Sequence, residues 1–177
     1  MAHLGYNLYG QFVKTNNQYY FTNTVSLPNL FNLEYATEQR LSAVAEISWS
    51  TLPLSLRLLG KYHSYTLCSG DPAWFKPDIE VNFTARYQWR ERIIISSIID
   101  YRGETSARLP QSNLPSVGAL RTFIDGYTDI GLTLEYRFAS WFGIYAEGKN
   151  LLNAQKQNFL FYYEPGLRIG GGVTFRF

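Results

Sequence analysis

One cysteine, two histidines and no long apolar run: this 177-residue sequence lacks most of the usual signposts. Cys68 alone cannot close an internal disulfide and reads as an unpaired loop thiol. With His3 and His63 far apart, no metal-ligand spacing exists, and neither a metal nor another cofactor is expected. The run of roughly 18 apolar residues that a spanning helix needs is missing, which excludes a helical membrane protein. Net charge is only +2, with bases interleaved among acids, so nucleic acid is excluded as a partner. The first residues, Met1, Ala2 and His3, enter an alternating segment with none of the charged, apolar and small-residue regions of an export signal. For an exported protein, the expectation is that a leader or a longer stretch precedes Met1.

What is present in excess is aromatic surface. Rings make up 17% of the residues, with 14 tyrosines, more than a soluble core of this size needs. The two water interfaces of a membrane β-barrel take such residues, because the ring body is apolar and the phenol or indole tip is wet. A mean hydropathy of -0.18 fits, since a barrel dilutes each lipid-facing residue with a lumen-facing one.

The pattern along the chain has a two-residue period. In Ile79–Trp89 the apolar set Ile79, Val81, Phe83, Ala85, Tyr87 and Trp89 alternates with Glu80, Asn82, Thr84, Arg86 and Gln88. Arg40–Trp49, Leu54–Tyr65, Asp129–Phe138 and Leu167–Phe177 alternate similarly; Leu4–Lys14, Arg92–Arg102 and Trp141–Lys149 do so less cleanly. That makes about eight strands, the smallest even number that closes a barrel. The connections at Ser50–Pro53, Arg90–Glu91 and Ala139–Ser140 are short, whereas Thr15–Gln39, Thr66–Asp78, Gly103–Thr128 and Asn150–Gly166 are long. Short and long alternate, as in outer-membrane barrels with tight periplasmic turns and extended outer loops. The fold class is therefore all-β, an antiparallel up-and-down transmembrane β-barrel forming one domain. Closure would pair Leu4–Lys14 with Leu167–Phe177 and leave no edge in lipid. Within the first long loop, Tyr19–Leu27 alternates partly and reads either as a continuation of the first strand or as a ninth strand. A soluble lipocalin-like ligand-binding barrel has similar length, and periodicity alone does not orient the faces.

The C-terminal end is more specific. Ala146, Glu147, Gly148, Lys149, Asn150, Leu151, Leu152 and Asn153 are followed by an aromatic-rich stretch, then Glu164, Pro165 and Gly166, then a closing strand that stops on Phe177. This resembles the end of TonB-dependent outer-membrane receptors, where an Asn-Leu-(Phe or Leu)-(Asn or Asp) element closes the penultimate strand and a Pro-Gly element opens the last. Upstream, Pro77 to Glu80, Tyr87 to Arg90 and Asp100 to Gly103 are similar to the receptor-like proteins of Bacteroidetes. The resemblance implies residence in the bacterial outer membrane, contact with membrane lipid, and recognition of Phe177 and Phe175 by the barrel-assembly machinery. It also implies nutrient import, with TonB and a small nutrient ligand engaged through a full-length parent. Such receptors have about twenty-two strands and a plug domain, so this chain matches at most the last third of one. The alternative is a complete small eight-stranded barrel acting as an anchor or adhesin.

Two groups of residues are candidates for function. Glu80, Arg86, Glu135, Arg137, Glu147, Lys149, Arg168 and Arg176 fall on the inward face as a lumen charge network, structural if the barrel closes alone. Phe159, Phe161, Tyr162 and Tyr163 give an outer loop dense in rings, suited to recognition or to an interfacial girdle. No catalytic residues are expected: His63 and Ser64 pair a base with a hydroxyl, but neighbours on a strand point to opposite faces.

Overall fold

A computed structural model of the chain describes residues 2–23, 30–109 and 121–175. Its strands are β1 (His3–Asn23), β2 (Phe31–Thr51), β3 (Leu54–Leu67), β4 (Ile79–Trp89), β5 (Ile93–Arg102), β6 (Thr105–Arg108), β7 (Arg121–Ile124), β8 (Tyr127–Arg137), β9 (Phe142–Lys149), β10 (Gln157–Phe159), β11 (Tyr162–Tyr163) and β12 (Arg168–Phe175). The long strands form one antiparallel, eight-stranded sheet in the order β1-β2-β3-β4-β5-β8-β9-β12. This is the up-and-down β-wall that the alternation predicts. The short strands form the hairpins β6-β7 and β10-β11 within two of the long loops.

Cross-strand register shows why the alternation matters. Leu8 stands opposite Ala45, Leu58 opposite Phe83, Ile95 opposite Leu134 and Ile144 opposite Val173, so one apolar row runs across the sheet. That row is bare: Leu8 is 79% exposed and Ile169 79%. Exposing such a face to water would forfeit about 25 cal/mol for each Å² left unburied. Hydrocarbon removes that cost, so the bare row is the lipid face. It ends at Phe12, Leu41 and Tyr62, above which Lys14, Gln39, Ser64 and Thr66 take over the same face.

The opposite face carries Glu46, Arg57, Lys61, Glu80, Arg86, Asp129, Glu135 and Glu147. Ile94 and Ile98 share it, as their place in the alternation requires, and Ile94 is enclosed at 2% exposure.

Of the two readings of Tyr19–Leu27, the continuation of the first strand holds: Tyr19–Asn23 is the far end of β1, which passes an irregularity between Thr15 and Gln18 and stays paired with β2, and residues 24–27 lie outside the described residues. One expectation needs correction: β1 does not pair with β12 among the described residues, so closure of these eight strands on themselves is not found. The loops explain part of this: they fold inward over the polar face, and the interior of a closed eight-strand barrel is only wide enough for side chains.

Candidate functional site: the loop cap over the polar face

All the long connections meet at one end, and there the chain buries a core of the ordinary soluble kind. Tyr20, Leu67, Trp74, Phe75, Ala107, Ile124 and Leu160 are enclosed together, with Phe31, Tyr65, Leu109 and Phe159 packed against them. Phe159 is the hub of the rings, with its centroid 6.0 Å from Phe21, 5.3 Å from Phe31 and 5.1 Å from Phe75. The β9–β12 loop thereby touches the β1–β2 hairpin, although the strands beneath are far apart in sheet order.

Polar latches hold the cap to the wall. The Tyr20 hydroxyl donates to the Glu38 carboxylate, and Lys76 Nζ lies 2.6 Å from the same carboxylate. The Lys76 ammonium also stands 4.6 Å from the Tyr20 ring centroid and 5.4 Å from that of Tyr65. Burial, helped by the hydrogen bond to Glu38, keeps the Tyr20 phenol protonated well beyond its usual range, and burial pushes Tyr65 up to about 12. Arg108 reaches Glu34 at 2.5 Å, and Phe75 N donates to Ser106 O at 2.8 Å. These contacts join β1, β2 and the β3–β4 and β5–β8 connections into one body.

A second latch is built on Lys156, 4% exposed, whose Nζ lies 2.7 Å from Asp129 and 3.0 Å from Glu164. Burial alone would lower its pKa, but the bonds from Asp129 and Glu164 outweigh burial and raise it. Asn150, fully enclosed, receives Ala154 N on its Oδ1 and donates Nδ2 to Ala154 O at 2.9 Å, while its own N–H reaches Asp129. Asn153 Oδ1 accepts Leu167 N at 3.0 Å, and a Cβ at Gly166 would collide with that same oxygen. The Asn-Leu-Leu-Asn and Pro-Gly elements are thus two halves of one buckle that returns the chain to the wall as β12. Lower on the wall, a Cβ at Gly172 would come within 2.8 Å of the Tyr145 hydroxyl, so glycine lets this ring lie against the last strand.

Below the cap is a cavity of about 340 Å³, lined by Lys61, Glu80, Asn82, Arg102, Tyr127 and Glu164 among others. Most of its charges are already engaged. Arg102 donates to Phe75 O at 2.8 Å, Asn82 Nδ2 reaches Asp100 at 2.6 Å, and Lys61 faces Glu80 at 3.8 Å.

The inward charges do not make one network. Glu135 pairs with Arg137 at 2.7 Å and Glu147 with Lys149 at 3.5 Å, each along a single strand, while Glu80 meets Lys61 across strands. Arg86 and Arg168 share this face but enter no ion pair among the described residues. Arg176 and Phe177 lie outside the described residues. Phe175 is on the lipid face, 5.3 Å from the Phe142 ring and 6.4 Å from Trp141.

Of the predicted recognition rings, Phe159 is spent inside the cap and Tyr162 lies 5.1 Å from Phe31. Phe161 and Tyr163 stand exposed. Sequence reasoning missed Lys156, Lys76 and Tyr20, whose partners lie far away in the chain. It also missed the pair that His63 does form: its Nδ1 is 2.8 Å from Ser42 Oγ on the neighbouring strand, not from Ser64.

The comparisons with known proteins agree with the geometry. No protein-family model matches the sequence, and no curated protein does. Solved structures do match. The ferripyoverdine receptor of the outer membrane of Pseudomonas aeruginosa, bound to ferripyoverdine, superposes with a TM-score of 0.76 at 10% identity, over 97% of this chain and 25% of that one. The fold is that of an outer-membrane β-barrel wall. The siderophore receptor PirA from Acinetobacter baumannii gives 0.68 at 12% identity, over 99% of this chain and 29% of that one. The FpvAI–pyocin S2 complex gives 0.76 at 10% identity. The chain thus spans between a quarter and a third of the receptors it matches.

Proposed function

We propose that these residues are part of the barrel wall, with its outer loops, of a TonB-dependent receptor of the Bacteroidetes type, which imports a small nutrient across the bacterial outer membrane. The observation that carries this reading is the open eight-stranded sheet with a bare apolar face, matching about a quarter of much longer receptors. On this reading β1 and β12 bond to further strands of the same barrel, because backbone groups facing hydrocarbon find no water. The inward charges then line the interior, Phe177 and Phe175 are read by the barrel-assembly machinery, and the exposed Phe161 and Tyr163 belong to the surface that meets a ligand. The chain is wall and vestibule and not an enzyme. A complete small barrel is disfavoured because β1 and β12 do not pair among the described residues, and a lipocalin-like carrier by the exposed apolar row.

Growth of a strain lacking the full-length parent, beside one lacking TonB, across a panel of nutrient sources tests the import reading. Both strains should fail on the same nutrient. A parent-null strain that grows normally on every nutrient that requires TonB would refute it. Deleting Phe177 in the parent should lower assembled protein in the membrane while leaving detergent refolding nearly intact; equal surface levels would leave it as ordinary girdle packing.

A further inference from the structure

The β10–β11 hairpin, with the flanking Lys156 and Glu164, is closed within itself. Glu164 N donates to Lys156 O at 2.9 Å, Gln157 and Phe159 pair with Tyr163 and Tyr162, and Asn158 donates to the Glu164 carboxylate. Its two feet are fixed by the buckle, at Asn150 and Asn153 on one side and Leu167 on the other. Between those feet it reaches the wall through Lys156, 2.7 Å from Asp129, and through Asn158, whose Oδ1 accepts the Tyr127 hydroxyl at 3.1 Å. It gives Leu160 to the enclosed core of the cap, where the β3–β4 connection gives Ala73, Trp74 and Phe75. A piece that is stiff inside and held mainly at its feet moves as a unit when its outer contacts part.

What it covers is the cavity of about 340 Å³, which takes Lys156 and Glu164 from the hairpin and the rest of its lining from the wall. The Lys156 ammonium sits there among groups that suit a cation: Asp129, Glu164 and the Tyr127 ring, whose centroid is 5.9 Å away. Asp100 stands directly opposite Asp129 in the β5–β8 register, and like charges so placed repel. Asp100 is exposed; its Oδ1 accepts Asn82 Nδ2 at 2.6 Å, and no base pairs with it among the described residues. The wall's own bases in the cavity are turned to other partners, Lys61 to Glu80 at 3.8 Å and Arg102 to Phe75 O at 2.8 Å. The acid pair of the wall is therefore compensated by an ammonium that the hairpin carries in from 27 residues along the chain. A smaller cavity of about 180 Å³, lined by Ser96, Asp100, Asp129 and Thr133 among others, adjoins across the same two acids.

We propose that Lys156 is a built-in stand-in for the ligand: the hairpin is a door held shut by its own ammonium, and a solute bearing a primary ammonium group opens it by taking the seat at Asp129, Asp100 and the Tyr127 ring. Exchange of one ammonium for another keeps the acids compensated. A neutral or anionic solute that displaced Lys156 would leave a partly buried carboxylate bare, which is costly, so the seat selects by charge. The proposal rests on the import reading above and names the chemical class of its nutrient.

The test uses the full-length protein in mild detergent, with propylammonium chloride as the probe. In the wild type, hydrogen exchange at the β10–β11 hairpin should quicken severalfold as propylammonium is added, and β4 should stay slow. Equal concentrations of propanol or sodium chloride should leave the hairpin unchanged. Lys156→Met vacates the seat while keeping most of the side chain's length. It should bind propylammonium roughly tenfold more tightly than the wild type by ligand-observed nuclear magnetic resonance, as expected for a charge-assisted hydrogen bond no longer contested. Adding Asp129→Asn should remove that gain.

Hairpin exchange indifferent to propylammonium would overturn the proposal without recourse to any variant. An equal response to sodium chloride would overturn it too, because the latch would then be yielding to salt screening alone. A parent that imports a nutrient yet ignores propylammonium would remove this proposal and keep the import reading. Amine-dependent opening in a parent whose loss costs the strain no nutrient would keep the door and remove import.

Discussion

In the wall, Leu8 and Ile169 stand almost fully bare while charged side chains share the other face; in the cap, Trp74 is 4% exposed and Ala107 wholly enclosed. The two regions follow opposite rules because they meet different solvents. The wall needs no apolar core, since its ladder satisfies the backbone and lipid receives its apolar side. The cap stands in water and has to bury its rings against one another, which is why the long loops fold into hairpins instead of hanging free. The latches at Glu38 and Lys156 join a part governed by lipid to a part governed by water.

Substitutions chosen on each side of that divide should fail in different ways. The largest effect is expected in the cap: Trp74→Ala should cost about 3 to 5 kcal/mol of local stability, seen as rapid proteolysis of the outer loops with membrane insertion intact. If insertion is lost instead, the two regions are not separable. In the wall, Leu132→Arg should cost roughly 2 to 4 kcal/mol if it lies near the bilayer midplane. Urea titration of refolded protein in lipid checks this, and the loop proteolysis pattern of the folded fraction should not change.

Lys156→Met leaves Asp129 and Glu164 facing each other. Breaking a fully buried pair costs about 3 to 5 kcal/mol, and the partial exposure of both acids should reduce that to about 2. Hydrogen exchange should quicken at the β10–β11 hairpin and remain slow along β4.

The pH dependence has one sign. Tyr20, Tyr65 and Lys156 all hold their protons longer in the folded cap than in an open chain. The folded state therefore binds protons that the unfolded state releases. Cap stability should be full below about pH 10 and fall as pH rises towards 12, with the wall surviving after the loops have become protease-sensitive. The smallest effect belongs to Phe161→Ala and Tyr163→Ala, within about 0.5 kcal/mol of neutral for stability, because both rings are exposed. A larger loss would show that they are structural and not free for a ligand.

The wall was legible in the sequence because a strand between lipid and water writes its orientation at every residue. Ile79–Trp89 shows the alternation and is β4 to the residue. Where that pressure stops, so does the signal. Beyond Lys14 the β1–β2 hairpin no longer alternates cleanly, since one of its faces packs on the cap and the other meets water, and its paired continuation to Asn23 reads from sequence as an uncertain loop. The Asn-Leu-Leu-Asn element could be recognised, but its work as a buckle depends on Gly166 and Leu167, which only the fold brings to Asn153. Lys156 was invisible for the same reason: no periodicity links it to Asp129, 27 residues away.

The central claim, that the bare apolar face meets hydrocarbon and the charged face meets water, is tested most directly by single-cysteine labelling at two neighbouring positions of β8. With Cys68→Ser as background, Leu134→Cys and Glu135→Cys are placed in the full-length protein in native membranes, and each is exposed to a water-soluble thiol reagent and to a lipid-confined quencher of an attached fluorophore. The account predicts that the cysteine at 134 resists the reagent and its fluorophore is quenched from the lipid, while the one at 135 reacts from water and is not quenched. The reverse pattern, or equal access from water at both positions, would contradict it.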